Sequence, residues 1–213
     1  MSNYVITIAR QYGSGGRTIG GMIAEKLGIA FYDKDIIQRA SEESGVSVDL
    51  FSAVDEHSGF VKGGRLFGKA KGLYTGEVLS PTSKEYISDD NLFSLQAQTI
   101  KNLAAKESCV MIGRCSNFIL RDHPNVIRVF VHADDSFRLE KASEKLSLSE
   151  KEIEKFLVKD DKRKEDLSLR YTGKTWTDAT QYDLCLDASR LGYEKCVEDI
   201  IAFLKVRYPD QEL

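Results

Sequence analysis

The chain has 213 residues, of which 42% are hydrophobic, with a net charge of −3 and a pI of about 5.7. This length fits a single α/β domain over residues 1–213, and the slight acidity argues against a general nucleic-acid-binding surface. No apolar run approaches the ~18 residues that a membrane span needs. Because the sequence also enters a predicted strand by residue 4, we expect a cytoplasmic protein without a secretory leader, a membrane partner or a nucleic-acid partner.

The first predicted element is a short buried strand at residues 5–9, which runs into a glycine-rich turn at residues 13–16. After the turn, apolar residues recur at helical spacing from Ile19 to Leu27, and Gly28 stands where a helix C-cap belongs. A strand, a glycine turn and a helix in this order direct several backbone N–H groups and a positive helix end toward one point. This arrangement is typical of a phosphate-binding loop.

The turn departs at two positions from the usual phosphate-loop pattern, G-x-x-x-x-G-K-[ST]. When Arg17 and Thr18 are aligned with the last two positions, Gly16 falls on the second glycine but Gln11 falls on the first. Arg17 keeps the positive charge of the usual lysine, but carries it on a planar guanidinium group instead of a compact ammonium group. Thr18 keeps the hydroxyl that would ligate Mg²⁺.

Two other interpretations of the turn stay open. Gly13 and Gly15 also satisfy the first two positions of the dinucleotide pattern G-x-G-x-x-G, and Asp33 would suit a contact with a ribose. Thr18 stands at the third glycine position, which weakens that alternative. The turn could also be a connection that binds no ligand. We favour the phosphate loop.

The rest of the chain alternates between strands and helices. Further strands are predicted at 29–32, 109–113, 126–131 and 182–186, and helices at about 33–40, 46–56, 88–106, 134–142, 149–170 and 193–204. Residues 57–84, rich in glycine and basic residues, predict a basic loop that is either solvated or grips a substrate. The alternation predicts a parallel sheet covered by helices on both faces.

Arg114 directly follows the third predicted strand. In an open parallel sheet, the carboxyl ends of the central strands border the ligand crevice, so this position favours a ligand contact over a surface salt bridge. Arg39, on the second predicted helix, lies near the same cleft.

Four segments, taken together, resemble the cytidylate kinase-like family of phosphate-loop proteins, and their order and spacing also match nucleoside monophosphate kinases of the cytidylate kinase kind. They read ITIARQYGSGGRT, FYDKDIIQRA, CVMIGRCSNFIL and VIRVFVHADDSFRLEKA. The resemblance covers roughly residues 3–205. It implies a three-layer α/β/α P-loop NTPase fold with a five-stranded parallel sheet and a helical lid at about 149–175.

The resemblance implies an ATP- and Mg²⁺-dependent phosphotransferase whose acceptor is a small nucleotide, such as CMP. The residues that would hold the ATP phosphates are Gly13, Ser14, Gly15, Gly16, Arg17 and Thr18. The residues that match positions facing the acceptor are Asp33, Arg39 and Arg114. Arg163 lies in the lid segment, with Arg170 as a weaker candidate, and Arg17 and Arg163 would stabilise charge on the transferring group.

Two further departures concern the residues around Arg114. Ile112 and Cys115 stand where cytidylate kinases carry aspartates, so two polar groups of the family's site are missing. Together with Gln11 and Arg17, these differences keep a second hypothesis open: a nucleotide- or anion-binding module with little or no kinase activity.

Overall fold

The computed structural model describes residues 3–56 and 73–209, which form a five-stranded parallel sheet flanked by helices. The strands are β1 (Val5–Arg10), β2 (Ala30–Tyr32), β3 (Cys109–Ile112), β4 (Val126–His132) and β5 (Leu184–Asp187), and they lie in the order β2-β3-β1-β4-β5. β1 is central, with Ile6 opposite Val110 on β3 and Ile127 on β4. The predicted parallel sheet is confirmed.

The helices are α1 (Gly16–Leu27), α2 (Asp35–Ser44), α3 (Val48–Glu56), α4 (Asp89–Lys106), α5 (Ser116–Ile119), α6 (Asp135–Ser143), α7 (Glu150–Thr172), α8 (Ala188–Leu191) and α9 (Tyr193–Arg207). Gly28 ends α1 in a left-handed conformation, as its position predicted. The sequence did not indicate α5 and α8, because four residues are too few to show a helical apolar period.

The two faces of the sheet are covered by different helices. Val5 on β1 and Met111 on β3 belong to one core, which α2, α3 and α4 close. Ile6 and Ile8, which point the other way, belong to a second core that α1 and α9 close. The three-layer α/β/α arrangement is therefore confirmed.

Helix α7 is 23 residues long and begins with a capping box between Ser149 and Glu152. Its last turn packs on α4, where the rings of Tyr171 and Phe93 stack with centroids 3.9 Å apart. Arg170 adds ion pairs to Asp89 and Asp90 at the start of α4. The carboxyl end of α7 is therefore fixed to the body of the fold.

The predicted basic loop at 57–84 falls partly outside the described residues, since residues 57–72 are not among them. Residues 73–84 contain no helix or strand, and the N–H of Tyr74 donates to the carbonyl of Tyr171 at 2.9 Å. No helix within 3–56 or 73–209 is both long and apolar enough to cross a membrane.

Candidate functional site

The glycine loop joins β1 to α1 through two left-handed residues, Gly13 and Gly15, with φ angles of 83° and 84°. Glycine adopts such angles without the steric cost that a side chain brings. Space is restricted as well: a Cβ atom at Gly13 would lie 2.5 Å from the backbone oxygen of Arg138, and one at Gly15 would lie 2.2 Å from the ring of Tyr193. Both the backbone conformation and the close neighbours therefore require glycine here.

Side chains within the loop anchor it to the sheet. The buried hydroxyl of Ser14 lies 2.9 Å from the carbonyl oxygen of Gln11 and 3.0 Å from that of Val131 on β4. The side-chain oxygen of Gln11 accepts from the N–H of Ala133 at 3.2 Å. Gln11, which stands where the usual pattern has glycine, thus has a structural role in holding the loop against β4.

The amides at the start of α1 are available to a ligand. Gly15 is the N-cap and has no side chain that could cap the helix. Within α1, Ile19 is the first residue whose N–H donates to a backbone carbonyl, that of Gly15 at 2.9 Å. In the part of the chain that the structure describes, the N–H groups of residues 15–18 find no acceptor. Unpaired amides at the positive end of a helix are suited to an anion.

Arg17 and Asp33 form an ion pair beside these amides. The Arg17 Nε atom lies 2.7 Å from Asp33 Oδ2; the Arg17 side chain is 68% exposed, whereas that of Asp33, just after β2, is 8% exposed. Thr18 is exposed on the same first turn of α1. The structure therefore brings three predicted site residues to one edge of the sheet.

Strand β3 ends in three successive left-handed residues, Gly113, Arg114 and Cys115, with φ angles of 69°, 58° and 53°. Such conformations cost about 1–3 kcal/mol for residues with side chains, and they cluster at ligand sites. The Arg114 side chain lies across the sheet edge, where Nε donates to the backbone oxygen of Asp33 at 3.3 Å and Nη1 to the Gln96 side chain at 3.2 Å. Arg114 therefore lies at the carboxyl edge of the sheet, where its position after β3 placed it.

Arg10, the last residue of β1, also lies at this edge of the sheet, although it was not among the residues predicted for the site. Its side chain is 26% exposed, and its nearest described charge partner is Asp33 Oδ1 at 3.9 Å. Burial lowers the pKa of Arg10, and the charges of Arg114 and Arg163 act in the same direction. Asp33 and Asp160 oppose that shift. Arg10 ends β1 much as Arg114 follows the end of β3, so its position in the sequence also predicts a place at the edge of the sheet.

Helix α7 contributes a charged cluster near Arg10. Asp160 accepts from Arg163 Nη2 at 2.9 Å and pairs with Lys164 Nζ at 2.5 Å. Burial lowers the pKa of Lys164 to about 8, while Asp160 opposes that shift. The ammonium group also lies 5.5 Å from the centre of the Trp176 ring. Arg163 was predicted from the family resemblance; Asp160 and Lys164 were not.

Arg138 on α6 links the glycine loop to α7. Its side chain is 4% exposed, with Nε donating to the Tyr12 carbonyl at 2.9 Å and Nη2 to Asp161 Oδ2 at 2.7 Å. The Tyr12 ring also meets the Phe156 ring of α7 edge-on, with centroids 4.8 Å apart. The loop is therefore supported from outside by the α6–α7 pair.

Arg39 contacts the end of β2. It is exposed on α2, with its guanidinium carbon 5.3 Å from the centre of the Tyr32 ring. No contact within the described residues joins it to Asp33 or Arg114. Arg170, the weaker lid candidate, takes part in docking α7 on α4.

No group of three or more His, Cys, Asp or Glu side chains suited to a metal ion occurs among residues 3–56 and 73–209. Magnesium in phosphate-transfer sites needs few protein ligands, because phosphate oxygens and water fill most of its coordination shell. The unpaired amides and the glycine cradle fit a polyphosphate. Thr18 is exposed beside them, and its hydroxyl fits a magnesium ion bound to that polyphosphate.

Comparison with solved structures finds similar folds. An uncharacterized protein from Eubacterium ventriosum has a TM-score of 0.67 and 22% identity, covering 95% of this chain and 99% of that one. A shikimate kinase from Bacteroides thetaiotaomicron has a TM-score of 0.53 and 14% identity, covering 95% and 98%. At these identities the likeness shows the fold alone. No curated protein matches the sequence.

The model of the cytidylate kinase-like family matches residues 5–190. This span contains the glycine loop, the end of β3 and the whole of α7. The family resemblance read from the four sequence segments is confirmed: the chain belongs to the cytidylate kinase-like family.

Proposed function

We propose that this protein transfers the γ-phosphoryl group of ATP to a small phosphate-bearing acceptor, a nucleoside monophosphate such as CMP. The observation that carries the proposal is the set of unpaired amides at residues 15–18, at the same sheet edge as Arg10, Arg17 and Arg114. Phosphoryl transfer demands mainly positioning and neutralisation of charge, and a row of N–H donors next to guanidinium groups provides both.

On the donor side, residues 13–18 would bind the phosphates of ATP, which supplies the phosphoryl group. The amides would donate to phosphate oxygens, and Arg17 would stabilise the charge that develops on the transferring group. The Thr18 hydroxyl would ligate Mg²⁺. Asp33 would hold the exposed Arg17 side chain at the mouth of the loop through their ion pair.

On the acceptor side, Arg114 and Arg39 would bind the acceptor's phosphate near Asp33. We propose that residues 149–175 act as a lid, from which Arg163 would approach the transferring phosphoryl group. We also propose that residues 1–213 form a single domain. We also propose that the protein acts in the cytoplasm.

A second candidate function is nucleotide or anion binding without transfer. It is favoured by the end of β3, where Ile112 is fully buried and Cys115 is half-buried, so that neither position supplies a carboxylate to the crevice. A carboxylate at 112 could have held a magnesium-bound water, and one at 115 could have contacted the acceptor. Without them, binding could persist while transfer is lost.

A panel of nucleoside monophosphates and other small phosphate acceptors, incubated with MgATP in a coupled assay for ADP, separates these functions. Phosphorylated product from any acceptor supports the kinase. Thermal stabilisation by ATP with no product from the whole panel supports the binding module and contradicts the kinase.

The Arg17→Ala variant tests the proposed catalytic group. Because a positioned arginine contributes ~10³-fold or more to related reactions, we expect turnover to fall by about that factor and ATP binding to weaken. Arg121→Ala is the matched control, since Arg121 is likewise an exposed arginine paired with an aspartate, Asp122, but lies outside the site. Turnover by Arg17→Ala equal to that of the control would refute the assignment.

A further inference from the structure

We propose that Arg10 forms a second oxyanion subsite, separate from the loop amides, that binds a phosphate-type group between the glycine loop and the end of β3. This inference rests on the proposed function and extends it. The ligand is either the phosphate of the acceptor or the γ-phosphoryl group of the donor. The two share the same tetrahedral oxyanion chemistry.

The Arg10 side chain extends from the half of the site formed by the glycine loop and α1 to the half formed by the end of β3. Its stem lies against the start of α1, because a Cβ atom at Gly16 would be 2.5 Å from Arg10 Cβ. Its guanidinium lies against the end of β3, because a Cβ atom at Gly113 would be 2.1 Å from Arg10 Nη1. The charged group therefore lies between the donor cradle and the turn that carries Arg114.

The hydrogen-bonding state of Arg10 indicates that a ligand is needed there. A guanidinium carries five N–H donors, yet none of them makes a hydrogen bond to a residue within 3–56 or 73–209. The nearest carboxylate oxygen, Asp33 Oδ1, is 3.9 Å away, and the other oxygen of Asp33 is 2.7 Å from Arg17. A charged group that is three-quarters buried without hydrogen bonds is costly, and an anionic ligand would remove that cost.

The charges around Arg10 also favour the binding of an anion. Arg10 lies within electrostatic reach of Arg114 from β3 and Arg163 from α7. These like charges repel one another in a partly buried crevice, and Asp33 and Asp160 are shared with Arg17 and Lys164. A phosphate group between the arginines would convert mutual repulsion into charge-assisted hydrogen bonds.

The direct test is calorimetric titration with inorganic phosphate, which requires no turnover. We expect the wild-type protein to bind phosphate in two events, at the loop and at Arg10. In Arg10→Met we expect one event to disappear or to weaken about 10- to 100-fold, the loss typical of a charged hydrogen bond. Arg10→Lys should restore part of the affinity, and Arg121→Met should bind as the wild type does. Two unchanged events in Arg10→Met would overturn the inference.

If Arg10→Met does not fold, Gly113→Ala provides the second variant, because its methyl group displaces the Arg10 guanidinium and leaves the residue itself in place. It should lose the same binding event, and retention of both events would count against the subsite. A purely structural role for Arg10 would change stability in either variant without removing a phosphate-binding event.

Kinetics with the active acceptor distinguish the two sources of the phosphate. A rise in the KM of the acceptor assigns the group to the acceptor's phosphate, and a fall in kcat at unchanged KM assigns it to the transferring group. If the wild-type protein transfers to no acceptor, the proposed function fails while the titration still tests Arg10. If transfer occurs and Arg10→Met binds phosphate and acceptor normally, the subsite alone fails.

Discussion

The two sides of the glycine loop contain arginines in opposite hydrogen-bonding states. On the outer side, Arg138 is 4% exposed and donates to Tyr12, Asp135 and Asp161 over 2.7–3.2 Å. On the inner side, Arg10 is 26% exposed and has only an ion pair of 3.9 Å to Asp33 among the described residues. Protein groups accept hydrogen bonds from the Arg138 guanidinium. The N–H donors of Arg10, in contrast, have no hydrogen-bond acceptor in the described part of the chain.

This difference separates structural arginines from ligand-binding ones more sharply than burial does. A guanidinium whose hydrogen bonds are completed by protein groups holds elements together, and its removal leaves a buried carboxylate unpaired. A guanidinium with spare donors contributes little to the fold, and its removal should affect a ligand instead. Substitutions on the two sides of the loop test this contrast.

The largest effect is expected from Arg138→Met. Removing one partner of a buried ion pair costs about 3–5 kcal/mol, because it leaves the other charge buried and uncompensated. Asp161 would be that charge, and burial already raises its pKa despite the opposing effect of Arg138. Urea unfolding of the variant, beside Arg121→Met as the exposed control, measures the loss. A loss below about 1 kcal/mol would mean that the outer arginine is not structural.

A pH-dependent effect is expected at Lys164. Its pKa is about 8 in the folded protein, against an ordinary value of 10.5, so the unfolded chain binds more protons between these values. Unfolding free energy should therefore rise with pH across this window by about 3 kcal/mol, a contribution that is present above pH 10.5 and lost as pH falls through 8. Urea unfolding of the wild type and of Lys164→Met at several pH values isolates the contribution of Lys164. The tyrosines titrate in both proteins, so their effect cancels in the difference between the two unfolding free energies. If the difference in unfolding free energy between the two proteins stays constant with pH, the expected shift in the pKa of Lys164 is contradicted.

The smallest effect is expected from Arg10→Met. The side chain makes no hydrogen bond within the described residues, and Asp33 keeps its closer partner Arg17, so the unfolding free energy should fall by less than about 1 kcal/mol. The measurement is the same urea titration used for Arg138→Met. A loss comparable to that of Arg138→Met would remove the distinction between the two sides of the loop.

Much of the fold followed from local patterns. The apolar run of β1, the glycines of the loop and the apolar spacing of α1 predicted strand, turn and helix close to where they lie, because each pattern reflects short-range geometry. The order of the strands was not predictable from them. It depends on which helix crosses which face of the sheet, and no single segment encodes this.

The candidate site was only partly accessible from the sequence. Arg114 could be selected because its place after a strand fixes its position at the sheet edge, and Arg10 should have been selected by the same reasoning. The partners of Lys164 and Arg138 could not be predicted, since they come from elements distant in sequence. The role of Gln11 was hidden because its side chain bonds to the backbone at Ala133, more than a hundred positions later.

The central place of β1 has a consequence for biosynthesis. Val5 pairs with Cys109 on one side and Val126 on the other, and Ser14 is held by Val131. At ordinary translation rates of about 5–20 residues per second, the first strand waits roughly 6–24 s for its second neighbour to be made. A nascent chain that stops before β4 carries the complete glycine motif but lacks the strand against which that motif takes its shape.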